Sequence, residues 1–214
     1  MGMKWQALLA RFADMPLFHS SMLGVFPDDP KAIQVQLSRW VKAGRLARVR
    51  RQWYLIEKPW RAKEVPLSYI AAQVVQPSYL SLEWALQHHG LIPDAVMNPT
   101  AVTTDRPRRV EALGHAFLYY HVQPELLTGF RLILEDGWPV PMASAEKALF
   151  DKVYFHIQRH RFSAEWLMEL RLQNLAAFDI DGFLSFGHNS AKWGLQAALR
   201  SAADLIGKIK KERR

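Results

Sequence analysis

The sequence contains no cysteine among its 214 residues. This absence excludes disulfide bonds, cysteine-ligated zinc and thiol chemistry. No run of about 18 apolar residues occurs, so no transmembrane helix is expected. The N-terminal segment MGMKWQALLARF is too short and too amphipathic to be the apolar core of a signal peptide. We therefore expect a cytoplasmic protein with no membrane partner.

The signatures of common cofactor and nucleophile sites are also missing. The chain has neither a glycine-rich phosphate loop nor a Gly-x-Ser-x-Gly motif. His88 and His89 are adjacent, and neighbouring residues on a helix point about 100° apart, so they do not form a two-ligand face. His156 and His160 are four residues apart, but no third ligand is evident. The sequence therefore predicts no metal site and no cofactor.

Glu146 and Asp151 are the remaining candidates for acid–base chemistry. A spacing of five residues places them on different faces of a helix. Lys147 and Lys152 lie beside them, and we interpret all four as an ordinary charged surface. No catalytic residue is assigned, and we predict that the protein is not an enzyme.

Positive charge is concentrated in the first third of the chain. Residues 1–63 hold 12 lysines and arginines against four aspartates and glutamates, whereas residues 64–214 hold 16 of each. The net charge of +8 therefore belongs entirely to the N-terminal segment. A basic module joined to a neutral one is typical of proteins that bind nucleic acid.

The segment RLARVRRQWYLI, residues 45–56, contains four arginines and then turns to aromatic and aliphatic side chains. Arg48 and Arg50 are two residues apart, so a strand would place them on one face and Val49 on the other. With a turn near residues 51–52, the pattern predicts a β-hairpin.

An amphipathic helix is predicted directly before this hairpin. Asp29 and Pro30 favour its start, and Gly44 favours its end. Ile33 and Leu37 belong to its apolar stripe. Two shorter helices are expected before it, over residues 4–12 and 19–26. Three helices followed by a hairpin predict a winged helix-turn-helix.

In a winged helix the third helix enters the major groove and the wing contacts the flanking backbone. Gln34, Ser38 and Arg39 are predicted to read base edges, because amide and guanidinium groups match adenine and guanine. Phosphate contacts are predicted mainly for Lys42, Arg45, Arg48, Arg50 and Arg51. The full set of predicted DNA-binding residues is Lys31, Gln34, Ser38, Arg39, Lys42, Arg45, Arg48, Arg50 and Arg51.

The remainder of the chain is predicted to be a second, mixed domain. The polar, proline-flanked segment 57–66 reads as a linker, which gives domains 1–63 and 64–214.

Ser81 and Ser144 are expected to cap helices, the second of them over residues 142–157. The long C-terminal helix either packs on its own domain, which we favour, or binds a partner. The fold class is thus α+β, with a winged helix-turn-helix followed by a domain that has a small sheet and flanking helices. Strands are predicted at residues 100–104, 116–122, 130–134 and 138–141.

Two motifs in the second domain resemble a known family. YLSLEWALQHHGLIPDAV at residues 79–96 and MASAEKALFDKVYF at residues 142–155, together with the N-terminal winged helix, resemble the AbiEi antitoxins of type IV toxin–antitoxin and abortive-infection systems. The resemblance extends from the first helix to about residue 157. The sequence departs from the family pattern at Gln52, where a glycine is common in the wing, and at Trp84, where a small residue is common.

The resemblance implies a separate role for each domain. The winged helix would bind inverted repeats in double-stranded DNA and repress its own operon. The C-terminal domain would neutralise a nucleotidyltransferase-like toxin, with which it need not form a stable complex. The family provides no catalytic residues to transfer to this chain.

Other functions remain open at this point. A winged helix can target an enzymatic domain to nucleic acid, although the chain lacks a carboxylate cluster suited to Mg²⁺. It can also belong to a ligand-responsive transcription regulator that has no toxin partner, and many winged helices bind protein rather than DNA.

Overall fold

The chain folds around two β-sheets, and the predicted α+β class is confirmed. The computed structural model describes residues 3–188, 190 and 193–212. A three-stranded sheet belongs to the N-terminal part, and a six-stranded sheet belongs to the rest.

The N-terminal part has the element order expected of a winged helix. Its antiparallel strands lie in the order β1-β3-β2. The segment predicted as a second helix is a 3₁₀ helix, and β1 was not predicted because three residues are too few to show an alternating pattern. The elements are α1 (Trp5–Phe12), β1 (Leu17–His19), the 3₁₀ helix (Ser20–Val25), α2 (Pro30–Lys42), β2 (Leu46–Arg50) and β3 (Trp53–Ile56).

Helix α2 begins and ends where its sequence predicts. The Asp29 carboxylate accepts hydrogen bonds from the main-chain N–H groups of Lys31 and Ala32, at 2.8 and 3.3 Å. Pro30 occupies the first turn, where its missing N–H has no partner to lose. Gly44 stops the helix with a φ of +67°, a conformation that glycine adopts without strain. The buried side of α2 fixes which side remains open to solvent.

The second part is built on a sheet of order β6-β7-β5-β4-β9-β8. The β5–β7 and β4–β9 pairs are parallel, and the other pairs are antiparallel. Two 3₁₀ helices, Pro124–Leu126 and Leu175–Ala177, lie in connections. The elements are α3 (Leu67–Val74), β4 (Ser78–Leu80), α4 (Leu82–His88), β5 (Thr100–Thr103), β6 (Arg108–Ala112), β7 (His115–His121), β8 (Phe130–Glu135), β9 (Trp138–Ala143), α5 (Ala145–His156), α6 (Ala164–Glu169), α7 (Ile180–Ser185) and α8 (Leu195–Glu212).

The four predicted strands of this part are present, but two strands were missed. β4 is only three residues long, and β6 is mostly polar. The predicted helix over residues 142–157 starts later, because Met142 and Ala143 belong to β9. Ser144 caps α5 as expected, since its hydroxyl accepts a hydrogen bond from the N–H of Lys147 at 3.1 Å.

The two parts have separate cores that meet at the small sheet. The smaller core is formed by residues of the first 56 positions. Leu17, Val49 and Leu55 face the other way and belong to the larger core. One face of the winged-helix sheet therefore packs on α1 and α2, and the opposite face packs on the second part.

The linker is packed rather than free. Residues 57–66 contain no helix or strand, yet the ring of Trp60 meets the ring of Trp5 edge to face at 5.7 Å. Trp138 donates a hydrogen bond from Nε1 to the carbonyl of Glu64 at 2.8 Å. The segment is thus fixed against both parts.

Helix α8 packs within its own chain. Its predicted apolar stripe, which includes Leu199 and Ile206, lies in the larger core. Lys210, in the basic segment KIKKERR at residues 208–214, donates from Nζ to the carbonyl of Phe178 at 2.8 Å. The last two residues of this segment lie outside the described residues. Within the described residues, no helix combines the length and apolar character that a membrane span requires.

Candidate nucleic-acid interface

The polar face of α2 is open to solvent. Its residues border a shallow groove of about 310 Å³, which also includes half-exposed Val35. All five α2 side chains predicted to contact DNA are exposed: Lys31, Gln34, Ser38, Arg39 and Lys42.

Hydrogen bonds within the first domain orient part of this face. Gln34 donates from Nε2 to the hydroxyl of Tyr54 at 3.2 Å, which ties α2 to β3. The Ser38 hydroxyl donates to the carbonyl of Gln34 at 2.9 Å. Within the described residues, Arg39 and Lys42 take part in no ion pair, so both cations are available to a ligand.

The arginines of the wing do not share one face. The β2–β3 register pairs Arg48 with Tyr54 and Arg50 with Trp53, with a bulge between the two arginines. Since Trp53 and Tyr54 are neighbours on a strand, they point to opposite faces, and so do their partners. The prediction that Arg48 and Arg50 lie on one face is therefore wrong.

Arg50 points into the molecule. Its guanidinium donates to the carbonyl of Val74 at the end of α3. Arg48 is exposed beside the α2 side of the sheet. Arg50 thus attaches the wing to the second domain, and it does not occupy the phosphate-binding position predicted for it.

Arg45 is also held by the protein, although by aromatic rings. Its guanidinium carbon lies 5.5 Å from the Trp5 ring centre and 5.7 Å from that of Trp60. Such cation–π contacts do not use up the N–H groups of the guanidinium, which can still donate to a phosphate. Arg51, at the wing tip, is exposed. Of the four arginines in the segment, Arg48 and Arg51 are the two that are exposed and have no hydrogen-bond or ring partner within the described residues.

The wing turn places Gln52 in a backbone conformation that suits the glycine common at this position in the similar family. Gln52 adopts a φ of +68°, the left-handed region that glycine favours. Its carbonyl accepts a hydrogen bond from the N–H of Ser20 at 2.7 Å, and this contact helps to hold the turn in place.

A buried ionic cluster was missed by the sequence analysis. Lys147 and Asp151 are both 0% exposed, and Lys147 Nζ lies 2.5 Å from Asp151 Oδ1. Asp151 Oδ2 accepts hydrogen bonds from the hydroxyls of Tyr79 at 2.9 Å and Ser81 at 2.7 Å. The interpretation of Lys147 and Asp151 as charged surface is wrong. The expected capping role of Ser81 is also wrong, since its hydroxyl bonds Asp151 rather than the helix.

The surroundings of this cluster explain why it holds charge in the interior. The ammonium of Lys147 lies 4.6 Å from the centre of the Phe150 ring. The cation–π attraction compensates for part of the hydration that the ammonium loses on burial. Burial raises the pKa of the Asp151 carboxyl, while Lys147 and the two hydroxyls partly offset this. Burial and the charge of Asp151 raise the pKa of Tyr79 well above its usual range. The cluster joins β4, the start of α4 and α5, and its burial keeps substrates away.

The other sequence candidates have local partners. His89 Nε2 lies 2.7 Å from the carbonyl of Ala143. Glu146 accepts a hydrogen bond from the N–H of Asp179 at 3.1 Å. The His156 ring stacks on Trp166 with centroids 3.7 Å apart. Across residues 3–188, 190 and 193–212, no three His, Asp or Glu side chains are grouped to hold a metal ion.

A second cleft, of about 430 Å³, opens between α4, α5 and the end of β7. Tyr120 and Phe155 form an aromatic wall, with ring centroids 5.2 Å apart. Lys152 pairs with Glu83 at one side of the cleft, and Arg159 is exposed at its rim. The cleft offers apolar contact and positive charge to a small molecule.

Comparisons with known proteins give no further assignment. No family model matches the chain, and no curated protein is significantly similar to it.

Proposed function

We propose that the chain is a non-enzymatic, cytoplasmic antitoxin of the AbiEi type that binds DNA. In this proposal α2 and the free wing arginines bind the inverted repeats of its own operator. The second domain neutralises a nucleotidyltransferase-like toxin without a stable complex.

The observation that carries the proposal is the exposed face of α2. It combines an amide, a hydroxyl and the cations of Arg39 and Lys42, which form no ion pair within the described residues, on a helix that packs against the wing strands. Amide and guanidinium groups on such a helix suit bidentate contacts to adenine and guanine. The charge excess of residues 1–63 supplies attraction to phosphates.

DNA binding is tested by measuring affinity for the sequence upstream of the gene. Arg39→Ala is expected to weaken binding by about 1–3 kcal/mol and to relax base preference. Arg200→Ala is the matched control, because Arg200 is also exposed but lies on α8. Equal loss in both variants, or no loss in either, contradicts the assignment to α2.

The division of roles is tested in cells that express the adjacent gene product. We expect the chain to restore growth and to repress a reporter fused to its operator. Arg39→Ala should lose repression and keep protection, because it leaves the second domain unchanged. Loss of protection in that variant would contradict the separation of roles.

The second cleft favours an alternative, a ligand-responsive regulator without a toxin. Pro107 lines the cleft and directly precedes β6, which packs against β2 of the wing. An aromatic anion between Tyr120 and Arg159 could therefore alter the wing. If benzoate changes the operator affinity of the wild type and not of Arg159→Ala, this alternative gains support. A co-transcribed nucleotidyltransferase-like gene favours the antitoxin instead.

A further inference from the structure

Strand β8 forms an edge of the six-stranded sheet and is unusually apolar for an edge. Among the described residues it pairs with β9 and with no other strand. Phe130, Leu132 and Leu134 project from one face and are 41%, 70% and 77% exposed. Folded proteins generally protect such edges with charge, proline or a covering element, because an open apolar edge pairs with other strands.

The opposite edge of the same sheet shows that protection. Strand β6 carries Arg108, Arg109 and Glu111, and Arg109 pairs with Glu111. Strand β8 has two charges of its own, Arg131 and Glu135, but both lie on the face opposite the leucines. The leucine face of β8 therefore has no such charge on it, unlike the edge formed by β6.

The outer edge of β8 also exposes main-chain hydrogen-bonding groups. Gly129 accepts a hydrogen bond from the N–H of Ser144 at 3.0 Å, so alternate residues from 129 onward bond toward β9. Leu132 and Leu134 lie opposite Pro141 and Pro139, which have no N–H to donate. The N–H and carbonyl groups of Leu132 and Leu134 therefore point outward. Within the described residues these groups have no hydrogen-bond partner.

We propose that β8 pairs antiparallel with β8 of a second copy of this chain, forming a two-fold dimer with one continuous twelve-stranded sheet. Pairing two identical strands in this way satisfies the outward main-chain groups of both copies. It also buries the exposed leucines of one copy against those of the other.

Charge complementarity selects the register. Arg131 and Glu135 lie on the face opposite the leucines. A two-fold axis at Ile133 places Arg131 of each copy across from Glu135 of the other, and Leu132 across from Leu134. Arg131 forms no ion pair within the described residues, and Glu135 is held at this edge by a hydrogen bond of 2.7 Å from the Ser68 hydroxyl.

Other two-fold registers are less favourable. An axis at Arg131 brings two like charges together, which is destabilising. An axis at Leu132 or Leu134 leaves Arg131 or Glu135 opposite Ile133. A two-fold axis between two consecutive residues of β8 places each residue whose main chain points outward opposite a residue whose main chain already bonds β9. Of these registers, only the axis at Ile133 pairs opposite charges and also lets the outward main-chain groups of the two copies bond each other.

A groove of about 540 Å³ continues this apolar face. It lies between α3 and β8, with Leu127, Phe130, Leu132 and Pro141 in its lining. In the proposed dimer the four leucines of the two copies form a cluster at its margin. The inference does not depend on DNA binding, because none of these residues belongs to the α2 face or the wing.

The first test uses the absence of cysteine from the chain. Ile133→Cys places one thiol of each copy at the axis, in a non-hydrogen-bonded pair with Cα atoms about 4.5 Å apart, a distance that a disulfide spans. Mild oxidation of the full chain is expected to give a covalent dimer. Glu111→Cys on β6 is the control and should form little covalent dimer, because β6 lies at the other edge of the sheet. Cross-linking of Ile133→Cys no faster than the control overturns the proposal.

The second test reads the register in solution. Sedimentation equilibrium of the wild type is expected to give the mass of two chains. Arg131→Glu should weaken the dimer by at least about tenfold through like-charge contact, and Arg131→Glu with Glu135→Arg should restore it.

Loss of the leucine contacts gives a third measurement. Leu132→Arg is expected to yield a monomer with unchanged circular dichroism, because the side chain is mostly exposed and takes no part in the core. A wild type that is monomeric at about 100 μM, or a dimer that both Arg131→Glu and Leu132→Arg leave intact, overturns the proposal. The first of these outcomes would fit an edge that binds a strand of another protein.

Discussion

At the residue scale, position within the fold decides what a charge does. Lys147 and Lys152 are five residues apart on α5, yet the first is buried and the second is partly exposed. Lys147 pairs with Asp151, whereas Lys152 reaches Glu83. A buried pair loses much more than an exposed one when a single partner is removed, because the remaining charge has no water.

We expect Asp151→Asn to lower the free energy of unfolding by about 3–5 kcal/mol, since it leaves Lys147 charged without a counterion. Lys152→Ala is the control and should lower it by less than about 1 kcal/mol. Urea denaturation measures both. Replacing Lys147 by Met and Asp151 by Leu together should recover much of the loss. Equal effects of Asp151→Asn and Lys152→Ala would show that the pair is not a structural anchor.

The sequence contained a signal for this pair that was not used. MASAEKALFDKVYF is apolar around most of its circumference when it is drawn as a helix. Such a helix leaves little exposed surface, so some of its charges must be buried. We interpreted Glu146, Lys147, Asp151 and Lys152 as a charged surface because residue spacing does not show which other elements pack over a helix.

At the scale of elements, α2 could be predicted and the wing could be predicted only in part. The cap, the proline, the glycine and the apolar stripe of α2 all indicate the same helix, and the structure agrees with them. The hairpin was also found, but the bulge in β2 was not. A bulge depends on how two strands pair, and the local sequence does not record that pairing.

The two faces of β2 predict different effects for two arginines. Arg48→Ala should reduce the salt dependence of operator binding by about one unit of slope, with little change in stability. Arg50→Ala should leave that slope unchanged and lower the unfolding midpoint, because it removes the bond to Val74. DNA titrations at several salt concentrations and thermal melts measure the two effects. A reversed result would place Arg50, rather than Arg48, at the DNA.

The contact between α5 and α6 makes stability sensitive to acid. Burial lowers the pKa of His156, the hydrogen bond to the Arg161 carbonyl partly offsets this, and nearby His160 and Lys152 lower it further. The unfolded imidazole takes up a proton near pH 6.5, whereas the folded one resists until a lower pH. Stability is therefore expected to fall as pH drops through about 6.5 toward the folded pKa.

His156→Phe keeps a ring against Trp166 and removes this proton. We expect a shallower decline of the unfolding midpoint between about pH 7 and 5 than in the wild type. Melting curves across that range test the expectation. An equally steep decline in the variant would assign the acid sensitivity to other groups.

At the scale of the whole molecule, the three-stranded sheet packs against both cores and so connects the two domains. The domain boundary near residue 63 falls in a segment without helix or strand, but the cores meet across β1, β2 and β3. Charge asymmetry and the hairpin pattern located the basic domain. Nothing in the sequence indicated that Leu17, Val49 and Leu55 pack on the other domain, because a strand buried on both faces reads simply as apolar.

This shared layer predicts a single unfolding transition. Val49→Asp should separate it into two, because a buried charge disrupts the layer between the cores. Val35→Asp on the exposed face of α2 is the control and should leave one transition. Differential scanning calorimetry distinguishes these outcomes, and two transitions in the wild type would contradict the coupling.

The bulge in β2 also has an evolutionary consequence. Deleting the codon of Val49 would make the strand regular, with Arg48 opposite Tyr54 and Arg50 opposite Trp53 as before. Both arginines would keep their faces, but the larger core would lose the buried side chain of Val49. Selection for packing between the two domains is therefore expected to retain the extra residue, and with it the bulge.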